Sequence, residues 1–167
     1  MAAAREELYA VLISLAGDTL LLPNAAVAEV VSAERITRSP DGAPPWLTGH
    51  LSYNGRELPV VQFEALNGAA RPGDTRRTRL AIVHAITERV RSGQYAIVCQ
   101  GYPHLVTLNR AALRSEPLVS TDREDVVLAR VGIANTSALI PNLEAIEAQL
   151  AQVELTAATV AGAASAA

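Results

Sequence analysis

From Leu8 to Ala16 nearly every position is apolar, with Tyr, Val and Ile among them, and this run reads as a β-strand. Gly17-Asp18 follows, and Thr19 to Leu22 resumes the apolar pattern, so the two runs predict a hairpin. Pro23-Asn24 interrupts it, a short helical turn is expected across Asn24 to Val27, and an extended stretch over Ala28 to Ile36. Thr37 to Pro45 holds three prolines and a glycine, which fix a loop. Next, Leu47, Gly49, Leu51 and Tyr53 alternate with Thr48, His50 and Ser52. Asn54-Gly55 comes after them, and Leu58 and Val60 continue the alternation. Asn-Gly between alternating runs signals a type I′ hairpin, because both central residues must take positive φ. A two-residue turn there sets Tyr53 opposite Arg56, Leu51 opposite Leu58 and Gly49 opposite Val60, with Leu51, Tyr53, Leu58 and Val60 on one face.

Phe63 to Leu66 predicts one turn of helix closed by Asn67-Gly68, and Ala69 to Thr78 a polar connection between two halves. Strands are expected at Arg79 to Ile86, Gln94 to Cys99, His104 to Leu108 after the Gly101-Tyr102-Pro103 turn, and Val126 to Ile133. One long helix runs from Leu143 to about Val153. Asn142 can cap it, Glu144 and Glu147 lie near its positive end, and Leu143, Ile146, Leu150 and Val153 form a stripe. The tail, residues 153–167, is low in complexity with little to bury and is expected to be disordered. Short strands separated by Gly, Pro and Asn turns predict an all-β protein with a C-terminal helix. Each half flanking the polar connection is too short for a large sheet, so two small packed barrels are expected, about 18–68 and 78–132, with the chain ends crossing between them.

Composition narrows the chemistry. Half of the 167 residues are apolar and 19% charged, which places the chain among ordered globular proteins. All 14 basic residues are arginine, so there is no lysine for a Walker-type phosphate loop, a pyridoxal Schiff base or a kinase ATP anchor. A net charge of −3 and six aromatic residues do not supply the basic, ring-lined groove that a single-strand binder needs. Cys99 alone can form neither an internal disulfide nor a cysteine-rich zinc site. The start lacks the basic end and apolar run of a signal peptide, and Leu8 to Ala16 is about half a bilayer span. A cytoplasmic protein without membrane insertion is expected.

Candidate reactive groups are scattered. His50, His84 and His104 lie on three separate strands without metal-ligand spacing, and no G-x-S-x-G nucleophile turn occurs. All five aspartates fall in turns or loops, where their side chains bond nearby backbone. Arg71, Arg76, Arg77 and Arg79 could hold a phosphate or nucleic acid, but Asp74 and Pro72-Gly73 among them favour a solvated loop. Glu29 stands inside the apolar run Val27 to Val31. It reads either as the charge that guards an edge strand or as a polar anchor in a protein interface. No enzyme and no cofactor are expected.

Read together, Leu22-Pro23, Val27-Ala28-Glu29-Val30-Val31, Pro44-Pro45-Trp46-Leu47-x-Gly49 and Asn54-Gly55-x-x-x-Pro59-Val60-Val61 resemble a CheW domain, the adaptor of bacterial chemotaxis, over residues 8–152. The resemblance implies two intertwined five-stranded SH3-like barrels without catalytic activity or cofactor. It implies an adaptor between a methyl-accepting chemoreceptor and the regulatory domain of a CheA-type histidine kinase. The interface positions it implies are Val27, Glu29, Val30, Val31, Leu51, Tyr53, Asn54, Arg56, Leu58 and Val60. Two positions depart from the family pattern: Asn54 stands where an arginine precedes the hairpin glycine, and Gln62 where an aspartate is usual. The divergence resembles accessory CheW-like proteins of type IV pilus chemosensory systems. The alternative is a nucleic-acid-binding or other protein-binding barrel outside chemotaxis.

Overall fold

The apolar runs along this chain are longer than one buried face requires, and the reason is visible in how its strands stack. The computed structural model describes residues 6–70 and 72–165, with backbone alone for 158–161 and 163–165. Its first strands are β1 (Leu8–Ser14), β2 (Thr19–Pro23), β3 (Val27–Ser32), β4 (Ile36–Arg38), β5 (Leu47–Tyr53) and β6 (Arg56–Val61). Helix α1 (Phe63–Leu66) precedes β7 (Thr78–His84), β8 (Gln94–Gln100), β9 (His104–Leu108) and β10 (Leu113–Glu116). Then come β11 (Val127–Ile133), β12 (Thr136–Pro141) and helix α2 (Leu143–Ser165). One sheet has the order β3-β7-β8-β6-β5-β4 and the other β10-β11-β12-β2-β1-β9. Each has six strands where five were expected. The fold is mostly β, with two barrel-like halves.

The expected division into 18–68 and 78–132 is corrected by the pairing. β7 and β8 complete the sheet of β3 to β6, through antiparallel β3–β7 and parallel β6–β8, where Val60 faces Ala96. β1 and β2 join β9 to β12 through β1–β9 and a parallel contact of Leu139 with Leu20. Such non-local pairings leave no trace in a local apolar pattern. β10 and β12 were absent from the sequence expectation. β10 is largely polar, and the β11–β12 turn uses Ala134, at φ 51°, instead of the glycine that marks such turns.

Three clusters of buried side chains follow from this topology. Leu51, Leu58, Val60, Leu80, Ile82, Ala96 and Val98 fill the inside of the β3–β8 half. Ala10, Leu21, Leu108, Val131 and Ala138 fill the other half. The largest cluster lies between the sheets and takes the alternate residues of the same strands, including Val11, Ile13, Leu20, Ala81, Val83, Tyr95, Ile97 and Cys99. Strands β7 and β8 are therefore buried on both faces, which accounts for the unbroken Leu80-Ala81-Ile82-Val83 and Tyr95 to Cys99 runs. Trp46 belongs to the shared cluster.

The Asn54-Gly55 hairpin forms as expected, with φ 48° and 75° at its centre and Tyr53–Arg56, Leu51–Leu58 and Gly49–Val60 opposed. Gly49 is required by a close approach: a Cβ there would lie 2.1 Å from the Thr37 carbonyl oxygen of the neighbouring strand.

Helix α2 is capped by Asn142, whose Oδ1 accepts from the Ala145 amide at 3.1 Å. Ile146 and Leu150 enter the shared core, and Leu143 and Val153 pack on its margin. The tail expected to be disordered continues this helix to Ser165. Alanine has the highest helix propensity, and an anchored first half removes the cost of nucleation. Ala166 and Ala167 lie outside the described residues. Glu147, expected only near the positive helix end, is fully buried. Its carboxylate accepts from the Ile86 amide (3.0 Å), the Thr87 amide (2.8 Å) and the Thr87 hydroxyl (2.7 Å), tying α2 to the loop after β7. Burial, then the Glu147 charge, pushes the Tyr95 phenol above its ordinary value. Its hydroxyl still has no partner in hydrogen-bond geometry among the described residues.

A second polar anchor joins the turn after β1 to β11. The Arg130 guanidinium donates to both Asp122 oxygens, at 3.0 and 2.9 Å, and to both Asp18 oxygens, at 3.3 and 3.2 Å. Asp122 also accepts from the Val119 amide and from Asn67. The bonds from Arg130 hold the Asp122 carboxyl below its ordinary value, and burial opposes them.

Two outcomes are expected from these anchors. Glu147→Ala leaves two loop amides and a hydroxyl without their acceptor, and should lower stability by about 2–4 kcal/mol in denaturant titrations. An unchanged midpoint would mean that the loop does not depend on this carboxylate. Asp122 favours its charged form in the folded state, so its contribution is full above its ordinary value of 3.8 and is lost as pH falls through the lower folded value. Thermal midpoints should therefore fall more steeply below about pH 4 in the parent than in Asp122→Asn. Equal slopes would exclude Asp122 as a source of acid sensitivity.

Candidate partner-binding groove

Strand β3 forms one edge of its sheet, and its register against β7 shifts between Val27 and Glu29. A bulge of this kind turns the chain and re-aims the side chains around it. Val27 and Val30 then pack on the margin of the shared core, whereas Val31 packs on the inner cluster of its own half. Glu29 is exposed. The expected apolar patch around Glu29 is therefore split between two faces of the strand.

Glu29 and Val31 line a groove of about 460 Å³ whose remaining walls are Ser32 and Arg35 on one segment and Leu51, Ser52, Tyr53 and Asn54 on the β5–β6 hairpin. Five of the ten expected interface residues meet here: Glu29, Val31, Leu51, Tyr53 and Asn54. Partial burial, followed by the nearby Glu29 carboxylate, raises the Tyr53 phenol above its ordinary value. The acid and the phenol thus belong to one site although they lie 24 positions apart.

Two expected contact residues, Leu58 and Val60, are corrected, and a third, Leu51, is confined to the groove floor. Leu51 is 1% exposed, and Leu58 and Val60 are 0% exposed. They form the interior beneath the hairpin, where period-2 alternation sends one face of each strand, and only Leu51 reaches the groove floor. Arg56 points away from the groove and donates to the Ser92 carbonyl at 3.0 Å, beside Arg91 and Glu154. Gln62 is buried, its amide donating to Glu64 at 2.8 Å, so this departure from the family pattern lies in the interior. Sequence reasoning missed three groove residues, Ser32, Ser52 and the charged Arg35. Arg35 stands on a 3₁₀ turn, Ala33–Arg35, within a stretch expected to be extended. Ser32 gave the available signal, because its hydroxyl accepts from the Glu34 amide and starts the turn.

A second exposed surface lies on the other sheet. Three of the four sheet edges carry features that discourage pairing: Glu29 and a bulge on β3, three residues ending in Arg38 on β4, and Arg114 and Glu116 on β10. β9 carries no acidic or arginine residue and has no bulge. Its Leu105 is 64% exposed, and the neighbouring β1 adds Leu8 and Tyr9, similarly exposed. Tyr9 and Leu105 fall on one face of the β1–β9 pair and Leu8 on the other, all beside the open β9 edge.

Reactive groups do not gather. Among the described residues no three His, Cys, Asp or Glu side chains are placed to hold a metal ion. His50, His84 and His104 are all exposed. Cys99 is buried, and burial pushes its thiol up to about 12, which leaves it unreactive near neutral pH. Of the arginine group, Arg79 stacks over the Tyr102 ring at 5.8 Å and Arg76 and Arg77 are exposed. Arg71 lies outside the described residues. No helix among the described residues is long and apolar enough to cross a membrane.

The fold matches a known structure. The crystal structure of the scaffolding protein TtCheW from Thermoanaerobacter tengcongensis superposes with a TM-score of 0.68 at 20% identity, over 86% of this chain and 89% of that one. At that identity the likeness establishes the fold. No curated protein matches the chain. The model of the CheW-like domain matches residues 10–150, and the chain therefore belongs to the CheW-like domain family.

Proposed function

We propose that the chain is a non-catalytic chemotaxis adaptor that links a methyl-accepting chemoreceptor to the regulatory domain of a CheA-type histidine kinase in the cytoplasm. Its family consists of scaffolding adaptors without catalytic activity, and the match spans nearly the whole chain. The observation that carries the reading is a pair of separate exposed surfaces on one body, one on each sheet. The groove at Glu29 and Tyr53 is polar with an apolar floor, and the β9 edge exposes Leu105 beside Tyr9 of β1. An adaptor must hold two partners at once, and surfaces on different sheets do not compete for space. Contacts of this transient kind can bury about 1,000 Å² or less, within reach of either surface. A nucleic-acid-binding module is disfavoured by the net charge of −3 and by an arginine group that offers too few cations for strong phosphate binding.

The test is calorimetric titration of the chain against the kinase regulatory domain and the receptor cytoplasmic tip, singly and together. A ternary complex is expected. Glu29→Arg should weaken one partner by about tenfold while the thermal midpoint stays within a degree or two of the parent. Leu105→Asp should weaken the other partner by a similar factor. If neither partner binds at micromolar concentration, or if one displaces the other, the adaptor reading is lost.

A further inference from the structure

Two opposite charges line the groove, and neither has an ion-pair partner among the described residues. Glu29 is contributed by β3 and Arg35 by the turn that follows it, and both are exposed. The ion pairs among the described residues are Arg38–Asp74, Arg123–Asp125, Arg130–Asp18 and Arg130–Asp122, and they include neither residue. The same groove is lined by Val31 and Leu51, with Tyr53 and Asn54 on the hairpin wall. The site is thus an apolar floor with an acid and a base at fixed places on its rim. Both come from a short stretch whose backbone is pinned, by β7 at Ser32 and by the Ser32 hydroxyl at Glu34.

We infer that Arg35 is a specificity-determining contact of this groove, which receives an inserted segment of a partner protein. That segment carries an apolar side chain for the floor, a carboxylate for Arg35 and a basic group for Glu29. The inference rests on the adaptor reading and adds to it the chemistry of the partner. A second copy of the chain could match the two charges, since a two-fold axis would set each Glu29 against the other copy's Arg35. Two concave faces brought together would, however, leave the floor uncovered and its apolar surface wet. A convex, inserted segment covers the floor and satisfies both charges. A guanidinium fixed beside apolar surface also discriminates strongly, because a partner lacking the acid would bury the arginine unpaired.

The experiment compares the parent with Arg35→Glu and Arg35→Gln against the same kinase regulatory domain and receptor tip, at about 50 and 300 mM salt. The variants leave an exposed position and should keep the parent's thermal midpoint. Arg35→Glu should weaken the partner that Glu29→Arg also weakens by tenfold or more at low salt, and Arg35→Gln by a smaller factor. The parent's affinity should fall with salt, and that of Arg35→Glu should fall less. Rescue completes the assignment: one charge-reversed acid on the partner should restore binding to Arg35→Glu. If the parent binds and both variants bind equally well at both salts, the inference fails and the adaptor reading stands. If sedimentation shows the parent self-associating and Arg35→Glu monomeric, a second copy is the occupant and the inference fails. If the parent binds neither partner, the adaptor reading fails and takes the inference with it.

Discussion

The structure depends on one constraint: the central strands of two sheets must be apolar on both faces at once. β7 and β8 send Leu80, Ile82, Ala96 and Val98 into their own half and Ala81, Val83, Tyr95 and Ile97 into the space between the halves. β1 and β2 divide their side chains in the same way. Each such residue contributes about 1.5–3 kcal/mol by burial, and the shared cluster is the largest of the three. Neither half could separate without exposing that cluster. The crossing of chain ends has the same consequence, because β1 and β2, first in sequence, pair with β9 and β12 of the later half.

Where the core claims both faces of a strand, function is confined to edges and turns. That explains why the Glu29 groove is built from an edge strand, a 3₁₀ turn and a hairpin tip. It explains too why Leu58 and Val60, on the same hairpin, have no surface to offer. The polar groups obey the same division. Glu147 and Arg130 are held in place by several hydrogen bonds each and fix one element to another, while Glu29 and Arg35 are exposed and outside the ion pairs among the described residues.

Local chemistry was legible in the sequence wherever one short segment decides the outcome. Asn54-Gly55 gave the hairpin and its register, Phe63 to Leu66 gave α1, and Asn142 gave the start of α2. Decisions between distant segments were not legible. The parallel contact of β6 with β8 has no local signature, so the chain was divided at the wrong place. Ala134 at positive φ hid β12, and an alanine-rich tail with nothing to bury was taken for disorder although its helix propensity is high. Alternation along the hairpin separated the two faces correctly. Leu51, Leu58 and Val60 were expected in the interface from the family resemblance, which names the hairpin as a whole and not the face that turns outward.

The contrast between the two surfaces bears on how an adaptor avoids confusing its partners. A flat, uncharged strand edge such as β9 attracts any exposed strand or apolar surface, so its selectivity comes from shape alone. The groove works the other way. Its apolar floor is small, and its acid and base make a mismatched partner costly, because an uncompensated charge would have to be desolvated. Affinity from the β9 edge and discrimination from the groove are then supplied by different parts of one body. Because the shared core joins those parts, a change at one surface need not disturb the fold beneath the other, and each can diverge with its own partner.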